Sequence, residues 1–94
     1  MLLENKVAIV TGAARGIGLA AAARLGREGA RIVMADLDER ELKRSADALR
    51  ERGRQVLDIK CDVGSRDDVV RMVRTAQQEF GDIDIRLKIE FQEG

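Results

Sequence analysis

Four short apolar runs alternate with three stretches of helical periodicity along this chain, and that alternation narrows the folds open to it. Val7-Ala-Ile-Val10 is a four-residue apolar run ending in Thr11-Gly12, the pattern of a buried strand. Arg31 to Ala35 encloses Ile32, Val33 and Met34 and reads as a second strand, Gln55 to Cys61 as a third, and a fourth begins near Ile83. Between them lie an Ala-rich helix from about Gly16 to Glu28, a helix from Asp38 to Arg52, and one from Arg66 to Phe80. Leu42, Ala46 and Leu49 share a face of the second helix, and Val69, Val73, Ala76 and Phe80 share a face of the third. The punctuation agrees. Asp38, with Glu41 three residues on, forms a capping box, and Ser65 with Asp68 a shorter analogue. Gly29, Gly53 and Gly81 each sit just past a helix end.

Strand and helix in strict alternation imply a parallel sheet with right-handed crossovers. Doubly wound topology then predicts a Rossmann-like α/β fold in three layers, sheet order 3-2-1-4, with two helices on one face and the third on the other. At 94 residues the chain holds one domain at most, short for a complete α/β enzyme domain and marginal in stability unless something docks on it. Residues 1–85 make up the expected α/β half-domain and 86–94 a differently patterned tail.

Thr11-Gly12-Ala13-Ala14-Arg15-Gly16-Ile17-Gly18 falls between the first strand and the first helix, the setting a dinucleotide-binding loop requires. Gly12 lets the chain turn off the strand. Gly16 removes a side chain where a pyrophosphate approaches the backbone, and Gly18 lets the helix pack closely. Free N–H groups and the positive end of the helix dipole would face the phosphates, with Arg15 and Ile17 among the contacts. Asp36 closes the second strand, 18 residues after Gly18, where an acidic side chain is expected to bind the adenosine ribose hydroxyls. Its charge would repel a 2′-phosphate and favours NAD over NADP. Asp38 is the better helix cap, which leaves Asp36 no evident structural role. Arg15 points the other way, since a basic side chain in the loop could pair with a 2′-phosphate; it could equally be a solvated arginine. Asp62 and Val63 follow the third strand, and strand C-termini line the crevice of such sheets. This pair could meet the adenine, or Asp62 could be a turn residue. Cys61 has no histidine to activate it and reads as a small buried residue.

Composition excludes several functions. Lys plus Arg and Asp plus Glu number 17 each, so nothing favours nucleic acid or an anionic membrane surface. No apolar run approaches the about 20 residues of a membrane span. The first residues carry no secretory signal pattern, so the expected compartment is the cytosol. One cysteine allows no internal disulfide and no cysteine-cluster metal site. His, Tyr, Trp and Pro are absent, and Asn occurs once, at Asn5.

These residues resemble the short-chain dehydrogenase/reductase family. The resemblance is carried by the TGxxxGxG loop at Thr11–Gly18, the acidic strand end at Asp36, Cys61-Asp62-Val63, and Phe80-Gly-Asp-Ile-Asp-Ile85, and it covers residues 1 to about 85. It implies an NAD(P)-dependent oxidoreductase, commonly oligomeric, acting on alcohols and carbonyls. Family members continue their fourth strand into Asn-Asn-Ala-Gly and later carry a serine and a Tyr-x-x-x-Lys pair for catalysis. Here Arg86-Leu-Lys-Ile-Glu-Phe-Gln-Glu-Gly94 follows instead, no tyrosine exists, and Ser45 and Ser65 stand in no matching context. Hydride transfer to a carbonyl needs a proton donor at the oxygen. The expectation is therefore an NAD-binding N-terminal portion without turnover of its own.

The tail alternates Ile83, Ile85, Leu87, Ile89 and Phe91 with Asp84, Arg86, Lys88, Glu90 and Gln92, the period of a strand with one wet face. It fits a terminal edge strand, a frame-shifted or fused sequence, or an edge that pairs with a second copy. A non-catalytic binding or self-association module is thus the alternative function. A different Rossmann ligand class, such as that of methyltransferases, fits the TGxxxGxG spacing less well.

Overall fold

The computed structural model describes residues 1–89. Its elements run β1 (Val7–Thr11), α1 (Gly16–Arg27), β2 (Arg31–Asp36), α2 (Glu39–Glu51), β3 (Val56–Lys60), α3 (Arg66–Phe80) and β4 (Ile85–Lys88). The four strands form one parallel sheet in the order β3-β2-β1-β4, as the doubly wound reading predicts. Boundaries differ from expectation by a residue or two at most elements. Asp38 lies outside α2 as its N-cap, accepting from the Glu41 N–H at 3.1 Å, and Ser65 caps α3 by accepting from the Asp68 N–H at 3.3 Å. Gly29, Gly53 and Gly81 all take positive φ beyond their helices.

β1 and β2 lie at the centre and are buried on both faces, which is why they read as unbroken apolar runs rather than alternating ones. Ala8, Val10, Ile32 and Met34 pack beneath α1 and α2 together with Ala22, Leu42, Ala46 and Leu49. Val7, Ile9, Val33 and Ala35 face the other way, against Met72 and Ala76 of α3 and Cys61. Two helices therefore cover one face and one the other. Each large side chain buried here contributes about 1.5–3 kcal/mol relative to an exposed one.

Both edges are wetter. β3 is half-buried and held to α2 by Arg50, whose guanidinium donates to the Val56 carbonyl at 3.0 Å, to Asp47 at 2.8 Å, and to the Asp58 carboxylate. At the other edge, β4 is aligned by Asp84: its N–H donates to the Val7 carbonyl at 2.9 Å, and its carboxylate accepts the Val7 N–H at 2.9 Å. Arg86 pairs in register with Ile9, and Lys88 with Thr11, so both lie on the α3 face of the sheet; Ile85 and Leu87 lie on the α1 face. Ile85 and Ile89 pack against the α1 cluster, while Leu87 is 36% exposed. Ile83, expected on the same face, packs instead against the α3 cluster ahead of the strand, so the period-two pattern runs only from Ile85 to Ile89; its continuation through Phe91 and Gln92 lies outside the described residues. No helix among the described residues is long and apolar enough to cross a membrane.

Candidate functional site

A cleft of about 810 Å³ opens at the C-terminal ends of β1 and β2, lined by Gly12, Arg15, Gly16, Ile17, Gly18, Asp36, Leu37, Asp38 and Ile89. This is the position where open parallel sheets hold ligands. It forms because the chain leaves β1 at Gly12 in a left-handed conformation (φ 64°), runs through Ala13 and Ala14, which are buried, and re-enters regular structure at α1.

Each glycine answers a different steric demand. A Cβ on Gly18 would lie 1.9 Å from the Gly12 carbonyl oxygen, so α1 abuts the turn that precedes it. The expected close packing of Gly18 is therefore against the loop's own backbone. Gly16 has a φ of 59°, and a Cβ there would meet nothing within 4 Å. The space beside it is open, the condition for an anion to approach the backbone.

The N-terminus of α1 is electrostatically unlike the other two. α2 and α3 open with side-chain caps and acidic residues in their first turns, Glu39 and Glu41 in one, Asp67 and Asp68 in the other. α1 opens on Arg15 with no side-chain cap and no acid in its first turn. The first N–H groups of a helix need a partner, and the dipole there favours negative charge. Here that end faces the cleft.

Asp36 turns out to have a structural role, contrary to the sequence expectation. One carboxylate oxygen accepts the Ala14 N–H and the other the Asp38 N–H, each at 3.0 Å. It ties the glycine loop to the end of β2. A carboxylate offers about four acceptor positions, so this tie leaves capacity for ligand hydroxyls. Arg15 is exposed and also paired: its guanidinium donates to the Asp38 carboxylate. The Glu41 N–H, and after it Arg15, hold the Asp38 carboxyl below its usual pKa.

Three further contributors were not expected from sequence. Leu37 is 62% exposed and Ile17 75%, so two large apolar side chains stand on the cleft, and a leucine directly after a strand-ending aspartate was a readable signal for the first. Ser45, buried in α2, donates its hydroxyl to the Ala14 carbonyl at 2.6 Å and supports the loop from beneath. Nothing local marks a serine 31 residues away for that role. Ile89 also lines the cleft, its N–H donating to the Thr11 hydroxyl at 3.3 Å.

Asp62 and Val63 do not line this cleft. Asp62 closes a turn by accepting the Gly64 N–H at 2.9 Å, and its own N–H donates to Asp68 at 3.0 Å. Val63 lines a separate groove of about 260 Å³ between α3, β1 and β4. Cys61 is 2% exposed, and burial pushes its thiol pKa up, with Asp68 and Asp62 adding to the effect. No group of three or more His, Cys, Asp or Glu among the described residues could hold a metal ion.

The family model for short chain dehydrogenase matches residues 6–87. Among curated relatives, 1-deoxy-11-beta-hydroxypentalenate dehydrogenase of Streptomyces exfoliatus is 47% identical over 85 residues, covering 90% of this chain and 31% of its own length. A short chain dehydrogenase from Mycobacterium smegmatis superposes with a TM-score of 0.93 at 35% identity, over 99% of this chain and 39% of that one. A short chain dehydrogenase/reductase from Burkholderia phymatum, solved in complex with NAD, superposes with a TM-score of 0.88 at 34% identity, over 92% of this chain and 31% of that one. The chain spans about a third of the length of these relatives.

Proposed function

The chain belongs to the short chain dehydrogenase family and corresponds to the N-terminal part of such an oxidoreductase, and from this premise we propose that it binds NAD in the cleft at the end of β1 and β2. The observation that carries the reading is the uncapped N-terminus of α1, opening onto unobstructed space at Gly16 with Asp36 across the cleft. The residues present fit the dinucleotide. The backbone N–H groups at Gly16, Ile17 and Gly18 would hold the pyrophosphate, and Asp36 would accept from the ribose hydroxyls. Ile17 and Leu37 supply apolar surface, whereas Asp62 and Val63, at the end of β3, lie outside the lining of this cleft. NAD is favoured over NADP because Asp36 and Asp38 both bring negative charge to the cleft, while Arg15 is engaged by Asp38. Bound NAD would supply hydride exchange with an alcohol or carbonyl. With no Tyr or His in the chain, no side chain here takes the family's proton-donor role, so turnover by these 94 residues alone is not expected. A cytosolic setting fits the single free, buried cysteine.

Titration with NADH, followed by the cofactor's own fluorescence, tests the reading, and no Tyr or Trp interferes. Saturable binding is expected, weakened about tenfold by Asp36→Asn, which removes the charge on a charge-assisted hydrogen bond. No saturation with NADH or NADPH would overturn it.

One observation also favours self-association. The outer edge of β4 has no partner strand among the described residues, and Leu87 beside it is 36% exposed. Pairing with the same edge of a second copy would satisfy the backbone and cover that side chain. Size-exclusion chromatography across a concentration series checks this; a monomer at all concentrations sinks it.

A further inference from the structure

We propose that Asp38 is a specificity-determining residue of the cofactor cleft: it engages Arg15, the one cation among the described residues lining the cleft, and sets its own carboxylate against a 2′-phosphate. The inference rests on the dinucleotide reading above and deepens it.

The geometry links three side chains. Asp36 accepts the Asp38 N–H at 3.0 Å, which holds the two acidic residues side by side at the end of β2. Asp38 then uses one carboxylate oxygen to cap α2 at the Glu41 N–H, 3.1 Å away, and the other to accept from the Arg15 guanidinium. Arg15 sits on the loop directly after Ala14, whose N–H is bound by Asp36. The cleft therefore presents two carboxylates and one guanidinium, a net charge of about −1 at the ribose end.

An exposed ion pair is weak and exchangeable, so the pair alone would not keep Arg15 from a dianionic phosphate. What opposes the exchange is the group left behind. A 2′-phosphate that draws Arg15 away exposes the bare Asp38 carboxylate beside it, in addition to Asp36. A cofactor with a free 2′-hydroxyl disturbs neither. Arginine in the loop is thus not a signal for NADP in this chain, because drawing it to a phosphate bares the Asp38 carboxylate.

Asp38→Ser tests the idea while keeping the cap, since serine serves as well as aspartate at a helix N-terminus. NADH and NADPH are titrated against the unaltered chain, Asp38→Ser, and the double variant Arg15→Ala with Asp38→Ser. Far-UV circular dichroism establishes that each is folded. Removing one charge beside a phosphate and freeing Arg15 is expected to raise the affinity for NADPH relative to NADH by about tenfold, and Arg15→Ala is expected to abolish the gain. An unchanged NADPH-to-NADH ratio in Asp38→Ser overturns the inference while leaving the NAD reading intact. A gain that persists without Arg15 overturns it as well. Binding of neither dinucleotide by the unaltered chain would remove both.

Discussion

Replacing Gly18 with alanine adds one methyl group at a place where the backbone leaves no room for it. The new Cβ would stand 1.9 Å from the Gly12 carbonyl oxygen, 2.6 Å from its carbon and 3.1 Å from the Ala13 Cα. An ordinary contact begins near 3.4 Å, so α1 and the β1 turn must separate by about 1.5 Å. All three neighbours are backbone, and no side-chain rotation relieves them. Overpacking of a well-packed region costs about 1–3 kcal/mol, and the upper end applies because the strain falls on main chain. Alanine returns up to about 1 kcal/mol in helix propensity. A net loss of about 2 kcal/mol follows, a sizeable part of the roughly 5–14 kcal/mol expected for a chain of this length. With a urea slope of about 1–1.5 kcal/mol/M for a small protein, the midpoint should fall by about 1.5 M, followed by circular dichroism at equilibrium. Gly16→Ala is the matched control. It meets no atom within 4 Å but must keep a φ of 59°, which costs about 1 kcal/mol for an L-residue. It should unfold later than Gly18→Ala yet bind NADH more weakly than the unaltered chain, because its methyl group occupies the space proposed for the pyrophosphate. A Gly18→Ala midpoint within about 0.3 M of the unaltered chain would refute the steric argument.

Gly26→Ala should behave in the opposite way: the nearest tertiary neighbours of its Cβ would be Arg54 and Ile32 side-chain atoms at 3.4 Å or more. A gain of about 0.5–1 kcal/mol in urea unfolding is expected inside α1. Ser45→Ala leaves the buried Ala14 carbonyl without its hydroxyl partner and should cost about 1–2 kcal/mol, with NADH affinity reduced because the loop loses its support. Acid sensitivity follows from two carboxyls held below their usual 3.8: Asp38 by the Glu41 N–H and then Arg15, Asp47 by Lys43 and then Arg50. A depressed folded-state pKa gives stability that is present above the unfolded value and lost as pH falls below it through the folded value. The thermal midpoint should therefore decline below about pH 3.8, less steeply in Asp47→Asn; an unchanged slope would contradict the pairing. Cys61, buried and with its thiol pKa raised, should react with a disulfide reagent at neutral pH only as the chain unfolds. Rapid labelling of the native protein would show the core around α3 to be open.

The fold was legible because its causes are local or periodic. Burial on both faces makes β1 and β2 continuous apolar runs, and helical spacing selects the buried faces of α2 and α3. Capping acts over three residues, so Asp38 with Glu41 and Ser65 with Asp68 could be read directly. Doubly wound topology with right-handed crossovers then predicted the order 3-2-1-4, and the glycine loop followed from its place between the first strand and the first helix. Tertiary structure alone decided what the polar side chains do. Asp36, expected to have only a ligand to bind, also ties Ala14 to Asp38, and Arg15 finds its partner 23 residues away. Ser45 reaches the loop because α2 packs over it, a juxtaposition that no spacing rule encodes. Asp62 and Val63 follow a strand end as expected, yet they lie apart from the cleft lining, at a turn and in a separate groove. A hydrogen bond between distant residues depends on how whole elements dock. Local sequence determines which elements exist, and their packing determines which charges meet.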